Sequence, residues 1–355
     1  ERSKNMAYNF KEIETYDYNL DESLIAQTPL RERDHSKLLV VNKKDGSFKD
    51  DVFYNIINYL ESGDTLVLNN TKVLPSRIYG IKKETNAKIE VLLLKEIESD
   101  EWETLVRPQK RVKKGTVVSF DDDFECVVTD VLNDGITHVK FNYKGIFLEH
   151  LNKVGAMPLP PYIHEKLKDN DRYQTVYAKN LGSAAAPTAG LHFTKELLEK
   201  IREKNVDILY VTLNVGLGTF RPVTENNITH HDMHSEKYEI TEEVANKLNK
   251  AKKEKRRIIC VGTTSLRTLE ANYQKYNCFK STCEETDIFI YPPYKFKSCD
   301  ALITNFHLPK STLVMLVSAF SSVDIIMNAY KHAIENKYRF FSFGDAMFLT
   351  DKEVK

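Results

Sequence analysis

Three histidines and two carboxylates occupy seven consecutive positions, from His230 to Glu236. Imidazole titrates near neutral pH, so His234 with Glu236 nearby has the composition of an oriented proton-transfer pair. A metal site is the alternative, since His230 and His234 are four residues apart, as ligands on one helical face would be. The His-Glu-x-x-His arrangement of helical zinc sites is absent. The cluster therefore favours proton transfer, and we expect no metal.

Four polar segments follow or continue strand-like sequences in the C-terminal half of the chain. They span residues 214–221, 262–267, 304–307 and 342–345. In open α/β sheets and α/β barrels, ligands bind beyond the carboxyl ends of the strands, where loops and helix N-termini converge. The pattern therefore predicts one ligand site built from these segments.

Segment 262–267 is the one best suited to an anion. Its hydroxyl-rich turn opens a predicted helix, whose first turn presents unpaired N–H groups and the positive end of the helix dipole. The competing interpretation is that Thr264 or Ser265 only caps that helix. Gly216 and Gly218 form a weaker motif, because the third glycine and the strand-to-helix setting of a dinucleotide site are missing.

Residues 182–193 are mostly small and end with a histidine, His192, before a predicted helix. Small side chains let a ligand approach the backbone closely. A tightly packed turn with a buried, hydrogen-bonded His192 explains the same composition. The sequence leaves both interpretations open.

The formal charge of the 355 residues sums to zero, with 51 Lys and Arg against 51 Asp and Glu. This total argues against a strongly basic nucleic-acid-binding protein. Two basic clusters nevertheless stand out, at residues 107–114 and 250–257. Charges are screened over about 8 Å at physiological salt, so the local patch matters more than the total. The first cluster is a candidate nucleic-acid contact of modest, salt-sensitive affinity; a solvated surface is the alternative for both clusters.

The elements that position these residues fall into two groups. Closely spaced strand-like runs with no helical period occupy residues 76–145, which predicts a small antiparallel sheet or barrel. After residue 150, predicted helices alternate with strands, of which 339–343 is the last. A buried strand at 64–73 precedes the first group and resembles the later strands.

We therefore expect a major α/β domain with barrel character over residues 1–74 and 151–355, and an inserted small antiparallel β-barrel domain over residues 75–150. The length allows about two domains at roughly 100–200 residues each. No run approaches the roughly 18 apolar residues that cross a bilayer, so we expect a soluble, cytoplasmic protein. Five scattered cysteines without a Cys-x-x-Cys pair indicate free thiols. Residues 1–5 are either a native start or a leader before Met6.

A series of long motifs runs in order along almost the whole chain. The motifs occupy residues 16–20, 24–27, 68–73 (Leu-Asn-Asn-Thr-Lys-Val), 107–115, 157–163, 173–177, 185–192 (Ala-Ala-Pro-Thr-Ala-Gly-Leu-His), 261–270, 300–312 and 338–347. The series resembles the S-adenosylmethionine:tRNA ribosyltransferase-isomerase family of queuosine biosynthesis. A set of motifs of this length and order is highly specific for one family.

The resemblance implies transfer of the ribosyl moiety of S-adenosylmethionine to 7-aminomethyl-7-deazaguanine at the tRNA wobble position. Rearrangement then gives epoxyqueuosine-tRNA, and adenine and methionine are released. The implied protein is a monomer with an α/β domain and a small inserted β-barrel. It has no prosthetic group, metal or membrane contact, and its partners are tRNA and the co-substrate S-adenosylmethionine.

Roles for individual residues follow from the resemblance as hypotheses. His192 or His234 transfers protons, Glu236 and Asp345 orient or bind cationic groups, and the methionine carboxylate is bound by Thr264, Ser265 and Arg267. The predicted catalytic residues are His192, His234, Glu236 and Asp345; the predicted substrate-binding residues are Gly216, Gly218, Thr264, Ser265, Arg267, Asn305, His307 and Arg339; the predicted tRNA-binding residues are Arg107, Lys110, Arg111, Lys113 and Lys114.

One departure from the family pattern bears on activity. Asn214 stands where the Val-Thr-Leu-x-Val-Gly segment is expected to carry histidine, and an amide can hydrogen-bond but cannot do acid–base work. Together with the basic cluster at 107–114, it leaves a catalytically silent tRNA-binding protein as one alternative. The hydroxyl-rich turn at 262–265 leaves another nucleoside or phosphoribosyl transferase as a second.

Overall fold

The computed structural model describes residues 7–133, 135–216 and 222–355. The chain divides into two compact units. The larger unit runs up to Lys72 and from Pro160 onward, and the smaller unit is Val73–Leu159. The smaller unit continues past the expected boundary at residue 150, because Gly155 and Ala156 pair with its strand residues Ile78 and Arg77.

The described elements are numbered in chain order. The strands are β1 (Lys37–Asn42), β2 (Phe48–Val52), β3 (Thr65–Asn69), β4 (Thr71–Val73), β5 (Arg77–Lys82), β6 (Lys88–Glu98), β7 (Glu101–Arg107), β8 (Val117–Asp121), β9 (Phe124–Val131), β10 (Ile136–Tyr143), β11 (Gly155–Ala156), β12 (Asn180–Ser183), β13 (Asp207–Leu213), β14 (Glu236–Ile240), β15 (Ile258–Val261), β16 (Thr282–Thr286), β17 (Ala301–Asn305) and β18 (Ala346–Thr350). The α-helices are α1 (Phe147–Val154), α2 (Lys195–Glu203), α3 (Glu242–Lys253), α4 (Thr263–Tyr276), α5 (Thr312–Phe320) and α6 (Val323–Glu335).

Within the described ranges, no single helix is long and apolar enough to cross a bilayer. Only α5 and α6 taken together, bent by 115° at the break between them, reach that length and composition.

A nine-stranded mixed sheet forms the centre of the larger unit among the described residues, in the order β16-β14-β13-β3-β15-β17-β18-β1-β2. Every residue of β3, β15, β17 and β18 is buried, as expected for strands covered on both faces. On β3, Val67 joins the apolar cluster that includes residues of α3 to α6. Leu66 and Leu68 point to the other face and join the cluster that includes α2.

The strand directions gather several loops at one edge of this sheet. Strands β13, β3, β15 and β17 are parallel, so their carboxyl ends lie at the same edge, called here the C-terminal edge. The antiparallel neighbours β14 and β18 begin there, since Leu213 pairs with Tyr238 and Asn305 pairs with Ala346. Ligand sites of such sheets form at this edge.

The smaller unit is an antiparallel barrel. Its strands follow the order β5-β6-β7-β10-β9-β8, and pairing of β5 with β8 closes the ring. Burial alternates along β9 and β10, which places residues such as Phe124 and Phe141 inside. The predicted fold class, an α/β unit with an inserted antiparallel barrel, is confirmed.

The predicted strand at residues 339–343 is wrong. Phe340 makes one isolated bridge to Ile25, a turn follows at residues 341–344, and β18 comes after the turn. Phe341 adopts a left-handed φ of 77°, and the carboxylate of Asp345 accepts the Arg339 N–H at 2.7 Å. A Cβ at Gly344 would lie 2.4 Å from the Arg339 carbonyl oxygen, so only glycine allows this close approach.

Candidate active site

Asn69, fully buried at the end of β3, joins three elements at the C-terminal edge. Its Nδ2 donates to the Leu213 carbonyl at 3.0 Å and to Thr264 Oγ1 at 3.1 Å. Its Oδ1 accepts the N–H groups of Leu213 and Thr71 at 3.0 and 3.2 Å. These bonds use both donors and both acceptor positions of the amide. Asn69 therefore fixes the end of β13 and the first turn of α4 against β3.

Helix α4 starts without a side-chain cap. Its N-cap is Gly262, with a φ of 87° and no side chain to accept a hydrogen bond. Thr264 and Ser265 lie inside the first turn, so neither residue caps the helix. The competing interpretation, in which one of them is the cap, is therefore wrong. The buried Ser265 Oγ has no hydrogen-bond partner within the described ranges. The helix start thus keeps polar groups that a ligand can engage.

A buried ion pair joins β14 to α4. Arg267 Nη1 lies 2.6 Å from Glu236 Oε1, and the two side chains are 7% and 4% exposed. Glu236 Oε2 accepts the Gly216 N–H at 2.7 Å. The pair therefore links the first residue of β14, the loop after β13 and the first turns of α4.

Arg267 keeps one side of its guanidinium available. Its buried Nε and Nη2 atoms have no hydrogen-bond partner among the residues that the structure describes. These two nitrogens form the side that binds a carboxylate through two parallel hydrogen bonds. A buried donor without a partner costs about 1–3 kcal/mol, which an anionic ligand would offset.

A cleft opens over this pair, called here the Arg267 cleft. It brings together the predicted residues His234, Glu236 and Arg267 among mainly apolar side chains. The lining residues are His231, Met233, His234, Glu236, Arg267, Ile288, Phe289, Ile290, Thr312, Leu313 and Leu316. The arrangement suits a ligand with charged groups at one end and an apolar body.

The other two histidines of the 230–236 cluster differ in position, since one lines this cleft and the other does not. His231, which sequence reasoning did not single out, lines the cleft with its Nδ1 3.6 Å from Glu225 Oε2. His230 is exposed and is not part of the lining. Over the described ranges, no group of three or more His, Cys, Asp and Glu side chains is arranged to hold a metal ion.

A second cleft, the His192 cleft, lies at the other side of the C-terminal edge. Its lining residues are Pro29, Leu30, Arg33, Ser36, Arg172, Leu191, His192, Ser342, Phe343 and Gly344. The ring of His192 stacks on Phe53 with centroids 4.8 Å apart. His192 Nε2 is 2.6 Å from Asn305 Oδ1, and Nδ1 is 2.7 Å from Ser36 Oγ.

The hydrogen bonds of Asn305 assign the tautomer of His192. Asn305 Nδ2 donates to the carbonyls of Phe341 and Ser342, so its Oδ1 must accept. His192 Nε2 therefore carries the proton, and Nδ1 accepts from the Ser36 hydroxyl. Burial lowers the pKa of His192 to about 4, so the ring is neutral at pH 7.

Three other predicted residues line neither cleft; the side chains of Asp345 and Arg339 bond to backbone, and that of His307 bonds to a threonine hydroxyl. The His307 Nε2 lies 2.7 Å from Thr304 Oγ1, and burial lowers the pKa of His307 to about 3. The Asp345 carboxylate accepts the N–H groups of Lys37 and Arg339, and burial raises its pKa. Arg339 donates to the Thr28 carbonyl, and its buried Nη1 has no partner among the described residues.

The glycine motif is only partly described. Gly216 contributes the N–H that Glu236 accepts, whereas Gly218 lies outside the described residues. Asn214, the departure from the family pattern, accepts a hydrogen bond from Thr71 Oγ1 at 3.0 Å. Its amide also lies 2.9 Å from where a Cβ would stand at Gly182.

In the smaller unit, part of the basic cluster lines its own cleft. Lys110, Arg111 and Lys113 surround it together with Lys82, whose Nζ donates to the Arg111 carbonyl at 2.9 Å. Arg107 lines a different cleft with Tyr79 and Phe120, and Lys114 lines neither. No carboxylate is among the described lining residues of the Lys110 cleft, so it carries net positive charge.

Comparisons with known proteins agree on one family. A family described as "Queuosine biosynthesis protein" matches residues 13–349. A curated S-adenosylmethionine:tRNA ribosyltransferase-isomerase of Staphylococcus haemolyticus is 58% identical over 340 residues, covering 95% of this chain and 99% of the relative. Its counterpart in Staphylococcus epidermidis is 57% identical over the same coverage.

A solved structure supports the same relationship. The crystal structure of S-adenosylmethionine tRNA ribosyltransferase from Thermotoga maritima has a TM-score of 0.55 and 38% sequence identity to this chain. The match covers 94% of this chain and 99% of the Thermotoga maritima chain. The fold, a mixed α/β sheet with an inserted antiparallel barrel, is that of an α/β enzyme. The chain belongs to the S-adenosylmethionine:tRNA ribosyltransferase-isomerase family of queuosine biosynthesis, which confirms the resemblance seen in the sequence.

The neutral His192 makes stability depend on pH. Its pKa of about 4 in the fold lies below the ordinary 6.5, so the unfolded chain binds more protons between these values. The contribution of neutral His192 to the free energy of unfolding is complete above pH 6.5 and is lost as the pH falls towards 4. We expect His192→Gln to reduce the drop in thermal unfolding midpoint between pH 7 and pH 5. The exposed His164→Gln is the control; an unchanged drop in His192→Gln would contradict the assignment.

Proposed function

We propose that the chain transfers and isomerises the ribosyl moiety of S-adenosylmethionine onto 7-aminomethyl-7-deazaguanine at the tRNA wobble position. The products are epoxyqueuosine-tRNA, adenine and methionine. Family membership supports the reaction, and one observation supports its placement: the open side of Arg267 beside Glu236 in a mainly apolar cleft. We further propose that the enzyme works as a monomer in the cytoplasm, without a prosthetic group.

The Arg267 cleft is the proposed site of the amino-acid half of S-adenosylmethionine. Arg267 Nε and Nη2 bind the carboxylate, and the first turn of α4 with Ser265 adds donors. Glu236 offers the negative charge that the ammonium group needs. The side chains of Ile288, Phe289 and Leu316 cover the apolar part of the ligand.

The reaction requires a proton to leave C5′ beside the sulfonium and adenine to be protonated as it departs. We assign proton transfer to His234, which lines the Arg267 cleft. His192 is the second candidate, but its Nδ1 lone pair is occupied by the Ser36 hydroxyl and must first be released. We propose that Asp345 holds the loop beside the His192 cleft, because its carboxylate accepts two backbone N–H groups.

The proposed tRNA contact is the basic cluster of the smaller unit. Lys110, Arg111 and Lys113 line a cleft that a phosphate backbone can occupy. Lys114 and Arg107 are the remaining proposed contacts of the cluster; Arg107 lines a separate cleft with Glu90 and Asp121. Such contacts position RNA without reading its sequence.

Adenine release tests the proposed reaction directly. The chain with S-adenosylmethionine and tRNA bearing 7-aminomethyl-7-deazaguanine should release adenine, measured by chromatography. The control is the same tRNA with guanine at the wobble position, which should give none. Tight binding of the modified tRNA without adenine would instead support the silent tRNA-binding protein that Asn214 raises as an alternative.

Arg267→Lys should weaken S-adenosylmethionine binding about 10- to 100-fold, because one charge-assisted hydrogen bond contributes about 1.5–3 kcal/mol. Isothermal titration measures the affinity. Decarboxylated S-adenosylmethionine lacks the group that Arg267 is proposed to bind, so its affinity should change little. Equal weakening of both ligands would contradict the carboxylate assignment.

His234→Ala should lower kcat by about 10²- to 10⁴-fold, the usual contribution of an acid–base group, with little change in S-adenosylmethionine affinity. His230→Ala is the matched control, since His230 belongs to the same cluster and lies outside the cleft. Near-normal turnover in both His234→Ala and His192→Ala would contradict the assignment of proton transfer to these two histidines.

A further inference from the structure

The His192 cleft contains two arginines that the reaction, as proposed so far, leaves unused. Arg33 and Arg172 both line it and are half-buried. Arg33 donates to the carbonyls of Leu191 and Asp171 at 3.3 and 2.9 Å. Arg172 donates to the carbonyls of Arg31 and Leu30 at 3.2 and 2.6 Å. Backbone carbonyls thus hold both guanidinium groups in place.

The described lining of this cleft carries more positive than negative charge. No carboxylate is among its described lining residues, and the buried Nε of Arg172 has no hydrogen-bond partner within the described ranges. Asp169 and Asp171 interact electrostatically with Arg33, but both are exposed and lie outside the lining. Burial and the neighbouring Arg172 lower the pKa of Arg33, and burial lowers that of Arg172. Two cations held together in this way favour an anionic ligand.

A third guanidinium and one hydroxyl donor add to this environment. Arg339, whose buried Nη1 lacks a partner among the described residues, donates to Thr28, next to the lining residue Pro29. Ser342 lines the cleft and carries a hydroxyl donor, whereas the hydroxyl proton of Ser36 is already donated to His192. Arginines and hydroxyls are the groups that proteins use to hold a phosphate.

The two clefts are too far apart to bind the same small anion. Glu236 begins β14 and Asn305 ends β17, and four inter-strand steps separate them, roughly 19 Å at about 4.8 Å per step. The methionine carboxylate is assigned to Arg267, so the His192 cleft needs another anion. The tRNA substrate supplies phosphodiesters.

We propose that Arg33 and Arg172 bind a backbone phosphodiester of the tRNA close to the nucleotide being modified. This inference rests on the proposed function for the identity of the RNA. The contact fixes the strand at the C-terminal edge of the sheet, while the basic cluster of the smaller unit binds other phosphates.

The test compares Arg33→Gln and Arg172→Gln with the charge-preserving Arg33→Lys and with Arg202→Gln. Arg202 is a surface arginine near the end of α2, paired with Glu199. Affinity for the modified tRNA is measured over a series of salt concentrations, and affinity for S-adenosylmethionine is measured in parallel. Thermal unfolding checks that each variant is folded.

Each Gln variant should bind tRNA about 10-fold more weakly at low salt. The slope of log K against log salt should fall in magnitude by about 0.7–0.9, the effect of one lost phosphate contact. Arg33→Lys should keep most of the slope, Arg202→Gln should keep all of it, and S-adenosylmethionine affinity should be unchanged. A purely structural role of these arginines would not change the salt slope.

Two results would overturn the proposal: an unchanged salt slope in both Gln variants, or a loss of S-adenosylmethionine affinity in place of tRNA affinity. The second would make the cleft a carboxylate site. Absence of adenine release by the wild-type chain would overturn the proposed reaction, yet the salt slopes would still decide the phosphate contact.

Discussion

The buried ion pair between Glu236 and Arg267 is the interaction on which the site depends. A guanidinium in the first turns of α4 sits near the positive end of the helix dipole, so its burial requires a carboxylate. Glu236 provides it from the first residue of β14 and also accepts the N–H of Gly216. Removing one partner of such a pair lowers the free energy of unfolding by about 3–5 kcal/mol. The ion pair therefore fixes the loop after β13 against α4. It also leaves Nε and Nη2 of Arg267 for a ligand.

The order of the strands places this ion pair and several loops together at the C-terminal edge of the sheet. Parallel β13, β3, β15 and β17 end together, and the fully bonded amide of Asn69 fixes β3, β13 and α4 to one another. On the opposite side of the edge, burial keeps His192 neutral, and Asn305 fixes its tautomer by accepting the Nε2 proton. The result is a pair of clefts with different chemistry, for which we propose a zwitterionic small molecule in one and an RNA phosphodiester in the other.

Local patterns were sufficient to predict part of this arrangement. The hydroxyl-rich turn at 262–267 marks the start of α4, and the clustered His234 and Glu236 share a cleft with Arg267. Contacts between distant segments could not be predicted in this way: Arg33 and Arg172 are far apart in sequence, and only the packing of their loops brings them together. Residues 339–343 have strand-like composition, but Phe341 and Gly344 adopt a conformation set by Asp345, which no local propensity indicates.

The most direct test of this account is a crystal structure of the protein with S-adenosylmethionine bound. The account predicts the methionine carboxylate within about 3 Å of both Nε and Nη2 of Arg267, with the ammonium group directed at Glu236. A ligand bound elsewhere, or one whose carboxylate is held by Arg33 and Arg172 with Arg267 unengaged, would contradict it.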